Sequence, residues 1–201
     1  MKIANVSWGW TPIPEDLPKD DSLIKISDRI RSIEFEGIDY LSTEEGLDLF
    51  FDETQSRRLG KHAREIGLEP NVMVFQAAKW NNPDPEIQKQ NLGYFEKCVR
   101  VALWIGCRII SVIPPKPFGA APWRLNPRAS AQKESFHLPA AYSYQDDWSR
   151  LVDAYRNALR IAKQNGLRMS IECFVFSMVS TPHAMLKLIE DIGDPDFGIP
   201  A

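Results

Sequence analysis

The sequence predicts an α/β fold in which repeated strand–helix units build a parallel sheet that closes as a (β/α)8 TIM barrel. Three observations predict it. Apolar runs of strand length alternate with amphipathic helical stretches about five times along the chain. Helical stretches stop at Gly67, Gly106 and Gly166, and each glycine leads straight into the next strand. Such alternation belongs to right-handed βαβ units. Finally, no G-x-G-x-x-G follows the first strand and no P-loop occurs, which weakens the open, doubly wound alternative. A full barrel needs roughly 250 residues. The 201 residues here are therefore expected to form a single domain, 1–201, that is incomplete at its C-terminal end and holds about five to six of the units.

Taken in order, KIANVSW (Lys2 to Trp8) is a short extended run that enters a loop with Pro12, Pro14 and Pro18. Asp20, Asp21 and Ser22 offer capping side chains, and Leu23, Ile26, Ile30 and Ile33 follow at helical spacing. A second strand is expected over about Ile38 to Leu41. Thr43, Glu44 and Glu45 could cap the next helix, whose Leu59, Ala63 and Ile66 share a face before Gly67. Asn71 to Gln76 reads as a third strand, and a long helix runs from about Pro85 to Ile105 with Leu92, Phe95, Val99, Ala102 and Ile105 as its stripe.

Arg108 to Pro115, RIISVIPP, is a continuous apolar run of the kind buried on both faces of a parallel sheet. The next segment, residues 116–146, has no period and is rich in Pro, Ala, Ser and aromatics. A loop of that length inside a domain is usually functional or disordered. Trp148, Leu151, Tyr155, Leu159 and Ala162 mark a fourth helix, RMSIECF a fifth strand, and Met185, Leu188 and Ile189 a fifth helix, with the start of a further strand at the end of the chain.

Composition bounds the function. With 44% hydrophobic and 25% charged residues the chain can bury a sizeable core. A net charge of -3 lacks the basic footprint that nucleic-acid binding requires. MKIANVSWGWTPIPEDL has no apolar h-region, and no eighteen-residue apolar run occurs, so no signal peptide and no membrane span are expected. Cys98, Cys107 and Cys173 have neither C-x-x-C spacing nor an even count, and read as reduced, buried hydrophobes of a cytoplasmic protein.

The residue that stands out is Glu172. The two-residue period of RMSIECF places Ser170, Glu172 and Phe174 on one face and Met169, Ile171 and Cys173 on the other. The apolar set suits the helix side, so Glu172 should face the barrel interior near the C-terminal rim, where barrel enzymes keep their sites. A buried carboxylate there needs donors or a cation; a structural ion pair with an Arg or Lys of a neighbouring strand would serve as well as a catalytic role.

Several stretches resemble the sugar phosphate isomerase/epimerase superfamily, the xylose isomerase-like barrels. EFEGIDY (Glu34 to Tyr40) is similar to that family's G-F-D-G-I-E-L strand signature, with Asp39 in the acidic position. ALWIGCRIISVI is similar to its A-x-x-[LI]-G helix end and following strand, RMSIEC to its fifth strand ending in a metal-binding Glu, and DPDFGIPA to the D-P-N-x-G-[VI] segment before the next ligand strand. The resemblance runs over essentially the whole chain and implies a metal-dependent isomerase or epimerase of a small sugar, sugar phosphate or polyol. It implies a divalent ion, Mn, Mg or Co, held by Glu, Asp, His and Glu from four late strands. Proton abstraction next to a carbonyl would pass through an enediolate-like intermediate.

Of that ligand set only Glu172 carries over, as metal ligand and catalytic residue; the Asp would fall just past Ala201. The expectation is therefore the first part of a longer protein, or a shortened homologue without the family's metal site. The superfamily also includes the type IV apurinic endonucleases, which bind three zinc ions with histidines at the ends of the third and fourth strands; FQAA and IPPK do not match that branch. The second Glu of ketose 3-epimerases, six residues past the metal Glu, is replaced here by Met178.

Around the expected rim, Trp8 and Trp10 could stack on a sugar face or simply pack the loop. Gln76 could bond a substrate hydroxyl or cap the barrel. Lys116, Trp123, Arg124, Arg128, Lys133 and His137 could meet a substrate phosphate or carboxylate, or remain solvated loop residues. His62 is expected on a solvent-facing helix side and His183 in the first turn of another helix, neither with metal-ligand spacing. A dehydratase of the same superfamily, like inosose dehydratase, is the competing enzyme. A non-catalytic partial barrel is the alternative from another class, a binding or assembly module whose open strand edges would call for a partner or a second copy as a homo-oligomer.

Overall fold

The computed structural model describes residues 3–7, 22–43, 46–47, 52–120 and 138–198. Within them six strands alternate with five helices: β1 (Ala4–Val6), α1 (Ser22–Ser32), β2 (Gly37–Ser42), α2 (Glu53–Glu65), β3 (Glu69–Gln76), α3 (Pro85–Ile105), β4 (Ile109–Ile113), α4 (Tyr144–Gln164), β5 (Arg168–Ile171), α5 (Pro182–Ile192) and β6 (Phe197–Gly198). Every strand pair is parallel, and the spatial order β1-β2-β3-β4-β5-β6 follows the chain. A doubly wound sheet reverses its strand order at a switch point. An unbroken sequential order is that of a TIM-barrel wall, so the α/β barrel class expected from the sequence is the one observed.

The helices begin and end on local chemistry. Asp52 Oδ1 accepts from the Gln55 N–H at 2.7 Å to open α2, and Asp84 Oδ1 accepts from the Glu86 N–H at 2.9 Å ahead of Pro85 in α3. Ser143 and Thr181 cap α4 and α5 in the same way. Gly106 and Gly193 end α3 and α5 with φ of 99° and 70°, and Gly67 and Gly166, at 82° and 72°, sit at the predicted stops. Thr43 does not open α2: its Oγ1 accepts from the Gly46 N–H and caps a separate turn, while Glu44 and Glu45 lie outside the described residues.

Two apolar layers follow from the strand period. Ile38, Tyr40, Met73, Phe75, Ile110, Val112, Met169, Ile171 and Phe197 face the helices in the main core. Val72, Val74 and Ile113 pack with Leu41, Ile109 and Phe174 on the opposite, inner face. An aromatic cluster of Phe75, Trp80, Phe95, Tyr155 and Phe197 ties α3 and α4 to the sheet through edge-on and tilted contacts of 4.9–5.9 Å.

The contact between α2 and α3 is close enough to require glycine. Gly60 is buried in the middle of α2, and a Cβ there would overlap the Ile105 carbonyl at the end of α3. Arg64, one turn on, donates from Nη1 to that same carbonyl at 2.9 Å. Gly60→Ala should gain helix propensity yet force the helices apart, with a net loss of about 1–3 kcal/mol in chemical denaturation. An unchanged unfolding midpoint would refute the close packing.

Two single-residue expectations are corrected. His62 does not simply face solvent: its Nε2 lies 2.7 Å from Asp28 Oδ1 of α1, so it bridges two helices. Cys98 and Cys107 are buried as expected, but Cys173 is exposed because β5 ends at Ile171, two residues before it.

Candidate functional site at the strand ends

Glu172 follows the last residue of β5. Its backbone N–H still donates to the Val112 carbonyl at 3.1 Å, so the ladder carries it one step past the strand. Ile171 packs among the helices, and alternation turns Glu172 to the inner face. The register Val112↔Ile171 sets Ile113 beside it, and Gln76↔Ile113 sets Gln76 one strand further on. Gln76, Ile113 and Glu172 thus form one row across the C-terminal ends of three strands. Both Gln76 and Glu172 are half-buried.

Burial is the main force on the Glu172 carboxyl and raises its pKa. The Ser111 hydroxyl lies near enough to oppose that rise, although it closes no hydrogen bond of standard geometry, and the charge of Asp39 adds to it. No Arg or Lys pairs with Glu172 among the described residues, so the structural ion pair is not formed there.

Asp39 is the second carboxylate on this face. On β3 two residues, Asn71 and Val72, stand opposite it, because the register passes from Ile38↔Pro70 to Tyr40↔Met73. The irregularity leaves the Val72 N–H to donate to Asp39 Oδ1 at 3.1 Å. Burial raises the Asp39 pKa, and the Val72 amide and Asn71 side chain hold the rise back. Two acids thus face the same interior, each destabilised as an anion by its surroundings, which is how proton-transferring sites are commonly arranged.

After Glu172 the chain makes a fixed turn. Ser177 Oγ donates to the Phe174 carbonyl at 2.7 Å and accepts from the Val179 N–H at 3.1 Å, with Phe176 at a φ of 64°. Met178, where a second Glu would stand in the 3-epimerase pattern, is buried; its N–H bonds the Pro115 carbonyl and its Sδ packs 3.5 Å from the Tyr142 hydroxyl oxygen. Met178 is a packing residue that joins the loops after β4 and β5.

Beneath these loops lies a buried acid that the sequence did not single out. Asp147, fully buried in the first turn of α4, accepts from the Phe118 N–H at 2.8 Å, from the Tyr142 hydroxyl at 3.0 Å and from Arg150 Nη2 at 3.2 Å. Arg150 Nε reaches the Asn81 carbonyl at 2.8 Å, and Asn81 Nδ2 holds the Lys116 carbonyl at 2.7 Å. Two rim loops, those after β3 and after β4, are therefore pinned to one carboxylate and its arginine. Lys116 sits half-buried at the start of the long loop, held through its backbone.

Of the sequence candidates, Glu172 and Gln76 come together on one face. Trp8, Trp10, Trp123, Arg124, Arg128, Lys133 and His137 lie outside the described residues. His183 is exposed in the first turn of α5. Among the described residues no three His, Cys, Asp or Glu side chains stand close enough to hold a metal ion, so Glu172 fits as one ligand but these residues do not make a complete metal site. No helix among them is long and apolar enough to cross a membrane.

The exposed Cys173 is a reporter beside the site. Burial pushes the Cys98 thiol up to about 12, and Cys107 is raised further by the same cause. A soluble maleimide should therefore label one thiol in the native protein, Cys173, and three after denaturation. Labelling of Cys98 without denaturant would contradict the packing of α3.

The family model described as a xylose isomerase-like TIM barrel matches residues 27–200. No curated protein matches the sequence. Solved structures with the same fold include D-psicose 3-epimerase with D-tagatose from Clostridium cellulolyticum H10, at 14% identity and a TM-score of 0.70, covering 99% of this chain and 62% of that one. A 3-keto-D-glucoside 4-epimerase from E. coli aligns at 16% identity and a TM-score of 0.68, covering 99% and 67%. A xylose isomerase-like TIM barrel protein from Mycobacterium smegmatis in complex with magnesium aligns at 18% identity and 0.69, covering 98% and 63%. At such identities the likeness is one of fold. The chain spans less than two thirds of the length of the Clostridium enzyme.

Proposed function

The chain belongs to the xylose isomerase-like TIM barrel family, and we infer from this that the whole protein is an isomerase or epimerase of a small sugar, sugar phosphate or polyol. The observation that carries the reading is Glu172, a half-buried carboxylate with a raised pKa and no cationic partner among the described residues, at the C-terminal end of β5 on the inner face. Barrel enzymes act at that end. The reading is further supported by fold neighbours that are a D-psicose 3-epimerase and a 3-keto-D-glucoside 4-epimerase.

The chemistry asked of Glu172 is proton transfer at a carbon next to a carbonyl. A carboxylate whose pKa is raised by burial is a better base than one in water, and its conjugate acid can return the proton on its own face to the neighbouring carbon, which is isomerisation; epimerisation needs a second acid on the opposite face. Gln76, in the same row, offers an amide to a substrate hydroxyl. Domain 1–201 is read as part of a barrel, and Mg, Mn or Co as the divalent ion for which Glu172 would be one ligand. The described residues do not complete a metal site, so no step is derived through the ion.

The test is exchange of solvent deuterium into ketoses and ketose phosphates, read by NMR or mass spectrometry, with and without added divalent metal. Exchange next to the carbonyl, lost in Glu172→Gln, is the expected result. Exchange that survives Glu172→Gln would overturn the assignment of the base. Loss of water to give an unsaturated product would assign the dehydratase chemistry instead.

A further inference from the structure

The inner face below Glu172 carries two hydroxyls that close no hydrogen bond of standard geometry among the described residues, Ser111 lying near the Glu172 carboxyl and Ser170 below it. Ser111 on β4 and Ser170 on β5 are register partners, so they lie side by side on adjacent strands. Their chain neighbours Ile110, Val112, Met169 and Ile171 all pack among the helices, which turns both serines inward. Ser111 is 2% exposed and Ser170 4%, and neither Oγ closes such a bond. A buried hydroxyl without a partner bears its full desolvation cost, and two of them adjacent is not an arrangement that a dry interior sustains.

Space and further polar atoms are at hand. Ser170 pairs in register with the half-exposed Gly198 of β6, the last strand of the sheet, which sets no side chain beside the hydroxyl. Above the serines on the same face stands the Glu172 carboxylate, with the Ser111 hydroxyl near it. Buried waters sit where two to four polar groups converge on room for one molecule. Two hydroxyls, one carboxylate and a glycine position without a side chain meet that requirement.

We propose that Ser111 and Ser170 hold an internal water beneath Glu172, which bonds both hydroxyls and supports the carboxylate from below. In this arrangement the water accepts from one serine, donates to the other, and donates its second hydrogen to Glu172. The proposal does not rest on the reaction assigned above, and its test uses neither substrate nor metal.

A crystal structure of the chain prepared in chelator, at a resolution that orders internal solvent, should show a water within about 3 Å of both Oγ atoms. Absence of density between the serines would overturn the proposal. So would an ion, read from several oxygen contacts of about 2.0–2.6 Å. Denaturation of Ser111→Ala, Ser170→Ala and the double variant gives an independent reading whose sign decides. If each hydroxyl is bonded to a shared water, either single change should raise the unfolding constant about five-fold, and the double change should add little, because the water is lost at the first step. Dry hydroxyls predict the opposite: each alanine would stabilise the fold, and the two effects would add.

Discussion

Glu172→Gln is expected to abolish proton exchange and, in chelator at neutral pH, to raise the melting temperature. The two effects share one cause. Burial raises the Glu172 pKa above its ordinary 4.5, and Asp39 adds a like charge facing the same interior. The folded state therefore holds this proton more tightly than the unfolded chain does. Below about pH 4.5 the group is protonated in both states and its contribution to stability is fully present. As pH rises through the raised folded value that contribution is lost, because the unfolded chain gives up the proton first.

At pH 7 the native protein thus carries a half-buried anion at a cost that Gln, of the same shape, does not bear. Each 1 kcal/mol so relieved reads as about 2–4 °C in a chain of this size. Melting both proteins at pH 7 and pH 4 checks the sign. The variant should be the more stable at pH 7, and the gap should close toward pH 4. A variant less stable than the parent at both pH values would mean that Glu172 is a structural anion with a partner, and would end its candidacy as a base.

That such a residue could be picked out from the sequence, while its surroundings could not, has a physical reason. RMSIECF shows one charge in an apolar strand, and alternation alone assigns its face; Ile171 in the helix-side core bears this out. The helix stops were legible for the same local reason, since a positive φ at Gly67, Gly106 or Gly166 is a property of one residue. What local pattern cannot supply is the end of a strand. β5 stops at Ile171, since the turn at Phe174 to Ser177 is fixed by bonds to Val179 and Ser177, and Cys173 is thereby exposed. The irregularity opposite Asp39 is likewise invisible in EPNVMVFQ, because it exists only as a mismatch between two strands. His62 finds Asp28 on another helix, 34 residues earlier, a distance at which spacing rules say nothing.

Asp147 is the clearest case of a residue hidden from the sequence, and its removal should have the largest effect on stability. In YQDDWSR it reads as one of two acids in the first turn of a helix, where either would suit the helix dipole. Asp146 does face solvent, whereas Asp147 is turned fully inside, where it accepts from Phe118, Tyr142 and Arg150. Asp147→Ala would leave the Phe118 N–H and the Tyr142 hydroxyl without their carboxylate acceptor, and would leave the half-buried Arg150 with the Asn81 carbonyl alone. Removing one partner of a buried charge pair costs about 3–5 kcal/mol, and because Arg150 is 26% exposed and keeps the Asn81 carbonyl, the lower end is the better expectation.

Asp147→Asn should lie between, since it keeps the shape and one acceptor oxygen but turns an amide toward a donor. Because Asp147 joins the loops after β4 and the start of α4, the loss should also be local. The Phe118 amide should exchange its hydrogen faster relative to those of β4, even under conditions where the fold persists. Chemical denaturation of the three proteins, with hydrogen exchange resolved at Phe118, separates the outcomes. A loss under about 1 kcal/mol with unchanged exchange at Phe118 would mean that solvent reaches these groups and replaces the carboxylate. A large loss with Phe118 exposed would make Asp147 the residue on which the shape of the rim beside Glu172 depends.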